Sequence, residues 1–89
     1  MNAIIAVIGQ DKKGILAQIS TICAENNANI TDVNQTVMQK YFAMILLADI
    51  SAITCNFTDF SQKIQAAGKN MGMKVHVMHE DIFTSMHKI

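Results

Sequence analysis

The residues best suited to chemistry are Gly9-Gln10-Asp11-Lys12-Lys13-Gly14-Ile15-Leu16, between the apolar run Ala3-Ile4-Ile5-Ala6-Val7-Ile8 and the first segment with helical spacing. Gly9 and Gly14 would let a ligand come close to the backbone. The amides of Gly14, Ile15 and Leu16, at the start of that helix, lack intrahelical acceptors and lie at the positive end of its dipole. Such a terminus suits an anion, for example a carboxylate, and Lys12 and Lys13 add a modest positive patch. The outline resembles a P-loop, but Ile15 and Leu16 stand where its Lys and Ser/Thr are required, which excludes a nucleotide triphosphatase here. Asp11 is also a candidate N-cap, its side-chain oxygen accepting from the amides around Gly14, so a plain capped turn is the simpler reading of the spacing alone. A second polar cluster, Asn29-Ile30-Thr31-Asp32, offers an amide that donates and accepts and a carboxylate for an ammonium. Ordinary turn chemistry is again the simpler account.

Other reactive side chains are less organised. His76, His79, Glu80 and Asp81 suggest a metal, but strand positions three apart face opposite sides, so the imidazoles do not converge. No metal and no cofactor is expected. Cys23 falls on an apolar helical stripe and reads as a buried reduced thiol. Cys55 has no nearby CxxC and no His, Asp or Lys spaced to activate it. The seven Met read as core and interface filler.

The elements that must position these residues can be read from periodicity. The run from Ala3 to Ile8 is a strand buried on both faces. Ile15, Ile19, Ile22 and Cys23 recur at helical spacing, and the helix should stop near Asn26-Asn27, where Asn tolerates a left-handed position. Asn29 to Lys40 is a half-polar strand, hence nearer an edge, and Tyr41 to Ile50 follows across Gln39-Lys40 as a hairpin. Phe57, Phe60, Ile64, Ala67 and Met71 make the stripe of a second helix, with Asn56 and Asp59 as its capping pair and Gly68 and Gly72 bracketing its end. Met73 to Glu80 is the last strand, and Ile82 to His87 could add a terminal helical turn.

The order βαββαβ predicts an α+β, ferredoxin-like sandwich, a four-stranded antiparallel sheet with two helices on one face. The 89 residues form one domain, 51% hydrophobic, 16% charged, with formal net charge zero. All seven basic residues are Lys, which argues against nucleic acid, where Arg forks and a basic face are the rule. No apolar run approaches a membrane span, and the start Met1-Asn2-Ala3 lacks the basic flank of a signal peptide, so a cytoplasmic protein is expected. Strands one and three offer apolar residues to both sheet faces. One face would therefore lie bare in a monomer, and a homodimer or higher oligomer is expected.

Asp11-Lys12-Lys13-Gly14-Ile15-Leu16 followed by Asn29-Ile30, inside a βαββαβ chain of this length, resembles an ACT domain. Ile30-Thr31-Asp32-Val33-Asn34-Gln35-Thr36-Val37 and Tyr41-Phe42-Ala43-Met44 resemble the stand-alone, single-domain members and the tandem repressor of the glycine cleavage system. The resemblance covers nearly the whole chain. It implies a small-molecule sensing module, commonly for amino acids, in side-by-side dimers. Asp11, Gly14, Ile15 and Leu16 would form one wall of the site, and Asn29 and Ile30 of the other chain the second. The family often has Pro before the loop glycine, where Lys13 stands here.

These readings converge on a non-enzymatic domain that binds a small metabolite, most simply an amino acid, and acts as a homodimer on a partner protein in trans. The contending reading is a structural or protein-interaction module with an empty loop. An enzyme ranks third, since Asp11 with Lys12 or Lys13 is the only titratable pair near the loop. Other families of this topology fit poorly. The MxCxxC loop of metal chaperones, the loop Arg of acylphosphatases and the paired strand aromatics of RNA-recognition motifs are all missing.

Overall fold

Alternation of buried and exposed side chains dictates the sheet. Ala3, Ile5 and Val7 are fully buried on one side of strand β1 (Asn2–Gln10), where Ala48, Leu46 and Met44 of strand β3 (Tyr41–Asp49) lie beside them in register. Val77 and Val75 of strand β4 (Lys74–His79) continue that face next to Ile5 and Val7. The computed structural model describes residues 1–10 and 14–82. Strand β2 (Asn29–Met38) completes an antiparallel sheet in the order β2-β3-β1-β4, so the half-polar strand does lie at an edge. A bulge between Ile30 and Asp32 leaves Thr31 without a partner in the ladder.

Helix α1 (Ile15–Glu25) contributes Ile15, Ile19 and Cys23 to the core, and helix α2 (Phe57–Asn70) contributes Phe60 and Ile64. The architecture is thus the expected ferredoxin-like sandwich, with element bounds within two residues of those read from periodicity. The proposed turn from Ile82 to His87 lies outside the described residues beyond Ile82. Among the described residues no helix is long and apolar enough to cross a membrane.

Local chemistry fixes the helix ends. The Asn56 side chain accepts from the Asp59 amide at 2.8 Å, the capping contact its spacing predicts. Both helices finish in Schellman motifs. After α1, the amides of Asn27 and Ala28 donate to the carbonyls of Ala24 and Cys23, and Asn27 takes the left-handed φ of 60°. After α2, Gly72 and Met73 donate to Lys69 and Gly68, with Gly72 at φ 75°. The two-residue hairpin turn draws its left-handed position from Gln39, φ 55°.

Asn26, the last residue before the first of these turns, is buried and ties three elements together. Its side-chain amide donates to the Ile22 carbonyl at 2.8 Å, while its Oδ1 accepts from Lys63 Nζ of α2 at 2.9 Å and from Cys55 Sγ at 3.4 Å. Its carbonyl accepts from the Thr54 amide at 3.1 Å.

Candidate ligand site

Helix α1 begins at Ile15, and its N-cap is Gly14, with φ 91° and no side chain to cap the first turn. This corrects the expectation for Asp11: the cap position belongs to Gly14, and Asp11 lies outside the described residues, as do Lys12 and Lys13. Gly14's carbonyl accepts from the Gln18 amide at 3.0 Å and so closes the first helical bond. The first four amides, those of Gly14, Ile15, Leu16 and Ala17, therefore have no acceptor within the helix, the three expected from the sequence and one more. No acidic side chain occupies that first turn.

The two glycines of the segment play different parts. A Cβ on Gly9 would stand 2.9 Å from Met73 Sδ, so this glycine admits a core methionine rather than a ligand. A Cβ on Gly14 would meet nothing within 4 Å among the described residues. Gly14 is required instead for its left-handed φ, which a side chain strains. Ile15 is almost wholly buried, so it can offer a ligand its amide and not its side chain; Leu16 is half-buried.

Asn29 and Ile30 lie elsewhere. Asn29 pairs with Asp49, which pairs with Asn2, whereas Gly9 and Gln10 pair with Phe42 and Tyr41 at the far end of the sheet. Eight residues of strand separate Asn2 from Gln10, about 26 Å. Within one chain the two proposed walls do not meet. Asn29 is exposed and Ile30 half-buried. Beside them, hydrogen bonds from the Ser51 hydroxyl and amide hold the Asp49 carboxyl below the usual carboxylate range. The Asp32 carboxylate accepts from its neighbour's amide, Val33 N, at 2.9 Å.

At the opposite end Gly9 and Gln10 line a shallow depression of about 500 Å³ together with Ile8, Tyr41, Gly72 and Lys74, which the sequence did not mark as site residues. Only the register of β3 and β4 against β1 brings them together, and sequence spacing carries no sign of it. Among the described residues Lys74 is its cation, and the Tyr41 ring carries the Lys40 ammonium 5.6 Å from its centroid.

The two described histidines fall on opposite faces, as their spacing predicts. His76 faces out on the uncovered side of the sheet beside Ala6, while His79 faces the helices, its ring 4.6 Å from that of Phe57. Among the described residues no three His, Cys, Asp or Glu side chains group to hold a metal. Both cysteines are free. Burial pushes the Cys23 thiol up to about 11, while Cys55 is partly accessible. Since the thiolate is the reactive form, iodoacetamide at neutral pH should label Cys55 in the native protein and Cys23 only after unfolding, as read by mass spectrometry. Native labelling of both at equal rates would contradict this arrangement.

The described residues thus combine a ferredoxin-like sheet, a helix start behind Gly14 and a polar edge strand, and comparison with known proteins gives the class of domain. A sequence model of the ACT domain matches residues 2–78. The chain belongs to the ACT domain family, whose members are in general small-molecule regulatory domains, often for amino acids. A UPF0237 protein of Methanocaldococcus jannaschii is 50% identical over 88 residues, covering 99% of this chain and 98% of the relative. The solved ACT domain protein from Streptococcus pneumoniae superposes with a TM-score of 0.79 at 37% identity, over 93% of each chain. A putative glycine cleavage system transcriptional repressor shares the fold, with a TM-score of 0.72 at 19% identity, over 86% of this chain and 44% of that one.

Proposed function

We propose that this chain is a non-enzymatic sensor of an amino acid or similar carboxylate metabolite, working as a homodimer on a partner protein in trans. The observation that carries the reading is the start of α1. Among the described residues no side chain caps its first amides, which follow a left-handed Gly14, in a domain whose family binds small molecules. A ligand carboxylate would take the acceptor's place there.

The second wall follows from symmetry. Among the described residues β2 is an exposed edge strand, with nothing paired to the outer side of its ladder. Pairing two such edges antiparallel about a two-fold axis carries the Asn29 end of one chain to the Met38 end of the other. That is the end where Gln10 and Gly14 stand, so the partner's Asn29 approaches the loop that its own chain keeps about 26 Å away. A ligand held between the chains would couple occupancy to dimer geometry, the minimum an allosteric module needs.

A thermal-shift panel of the twenty amino acids tests this. A ligand at about 100 times its Kd adds about 2.7 kcal/mol of stability. The shift should vanish in Gly14→Val, whose branched side chain resists the left-handed backbone, and in Asn29→Ala, with both variants still folded. Silence across the panel would favour a protein-interaction module instead.

A further inference from the structure

The sheet has a second edge. β4 ends the strand order on the side opposite β2, and among the described residues nothing pairs with its outer side. In an antiparallel pair every second residue turns its N–H and C=O away from the neighbouring strand, so these groups of β4 point outward along its six residues. Helix α2 runs back beside this edge, and the two leave a groove of about 400 Å³. Its floor is apolar, made by the buried Met73 and Val75. Gln65, Ala66 and Lys69 of α2 line one side, where Ala66 contributes only a methyl and so leaves room over the floor. Lys74 and His76 line the other, on the uncovered side of the sheet in register with Ile8 and Ala6.

We infer that this groove takes an extended, acidic segment of a partner protein as an added strand beside β4. Main-chain hydrogen bonds to the free edge hold such a segment, and its side chains alternate as those of β4 do. Those level with Lys74 and His76 point to the uncovered side, where a carboxylate answers the ammonium. Those between them lie over Met73 and Val75 beside Ala66, where an apolar side chain fits. Charge selects the occupant. The lining holds two lysines and no carboxylate, so the groove edge of a second copy would bring the same lysines and no acceptor for them. Residues 83–89 include His87 and Lys88 but no Asp or Glu, so they supply no acidic side chain either. A lysine on an edge strand guards against self-pairing and leaves the edge open to an acid. The β2 edge, assigned above to the pairing of copies, lies across the sheet, so both edges can be occupied at once. The inference rests on the sensor reading only for the existence of a partner in trans.

The probe is a peptide as long as β4, six residues of alternating Val and Glu with blocked ends. It is titrated to millimolar concentration into the isotope-labelled full chain, with amide resonances as the readout. Resonances of every second residue of β4 should move and saturate, while those of β2 stay in place. Lys74→Glu should weaken binding about tenfold, because a cross-strand attraction becomes a repulsion. That variant should instead favour a peptide of alternating Val and Lys. Lys74 is exposed, so its far-UV circular dichroism should be unchanged. The Val and Glu peptide methylated on every backbone amide keeps its charge and should not bind. Equal binding of the methylated peptide, or binding that Lys74→Glu leaves unaltered, would overturn the proposal and leave only a diffuse attraction. A wild type whose β4 resonances do not move would also overturn it, assigning the edge to a second copy or to the chain's own terminal residues. No amino acid is present in the titration, so failure here leaves the loop site standing, and failure of the loop site leaves this groove standing.

Discussion

Gly68→Ala is expected to destabilise the fold by about 2–3 kcal/mol, even though alanine is the better helix former by about 1 kcal/mol. A Cβ at Gly68 would lie 2.0 Å from Val75 Cγ2 and 3.1 Å from its Cβ. Both residues are buried where the end of α2 crosses β4. The chain has little freedom to part them. Gly68's carbonyl accepts from the amides of Met71 and Met73, the latter at 2.8 Å, and Val75 is held in the ladder against Val7. For a domain of this size such a loss lowers Tm by roughly 10–20 °C. Val75→Ala removes the offending methyls at the cost of a small cavity, so the double variant should lie closer to the wild type than the sum of the singles. Additive losses in thermal or urea unfolding would show that the clash is relieved in another way.

Asn26→Ala should cost about 2 kcal/mol, well above the loss from an ordinary cap. It removes the donor to the Ile22 carbonyl and leaves Lys63 Nζ and Cys55 Sγ without their acceptor. Lys63 can turn to water, which limits the penalty. The variant should also label faster at Cys55, because the contact holding that thiol is gone. A loss of only a few tenths of a kcal/mol in urea unfolding would show that the junction of α1, α2 and the loop after β3 does not depend on this side chain.

These two positions mark where sequence reading ran out. Gly68 reads as a bracket at the end of a helix, because what it admits, Val75, belongs to the following strand and is seen only once α2 crosses β4. Asn26 reads as a helix stop. Its partners Lys63 and Cys55 lie about thirty residues or more downstream, and no local pattern couples them. Features governed by neighbours in sequence were legible: the Asn56 cap, the left-handed Asn27, the polar edge strand and the opposed faces of His76 and His79. The site falls between. Gly14 was legible as special, but its reason is backbone φ rather than room for a ligand, and the N-cap is Gly14 itself, three residues beyond Asp11. That Gly14 and Asn29 stand at opposite ends of one chain followed only from the register of β1, β3 and β2.

The separation of those two walls gives the central claim its most direct test. Gly14→Val damages the loop wall and Asn29→Ala the strand wall, so neither homodimer should bind. If each site takes one wall from each chain, a mixed dimer keeps one site with both walls intact and one with both damaged. Equal mixing with free exchange of subunits should then recover about a quarter of the wild-type binding capacity, at wild-type affinity, since half of the dimers are mixed. Titration calorimetry of the mixture, with the amino acid identified in the panel, reads this directly. Binding regained on mixing is the predicted result; a mixture as silent as its parents would contradict a site shared between two copies of the chain.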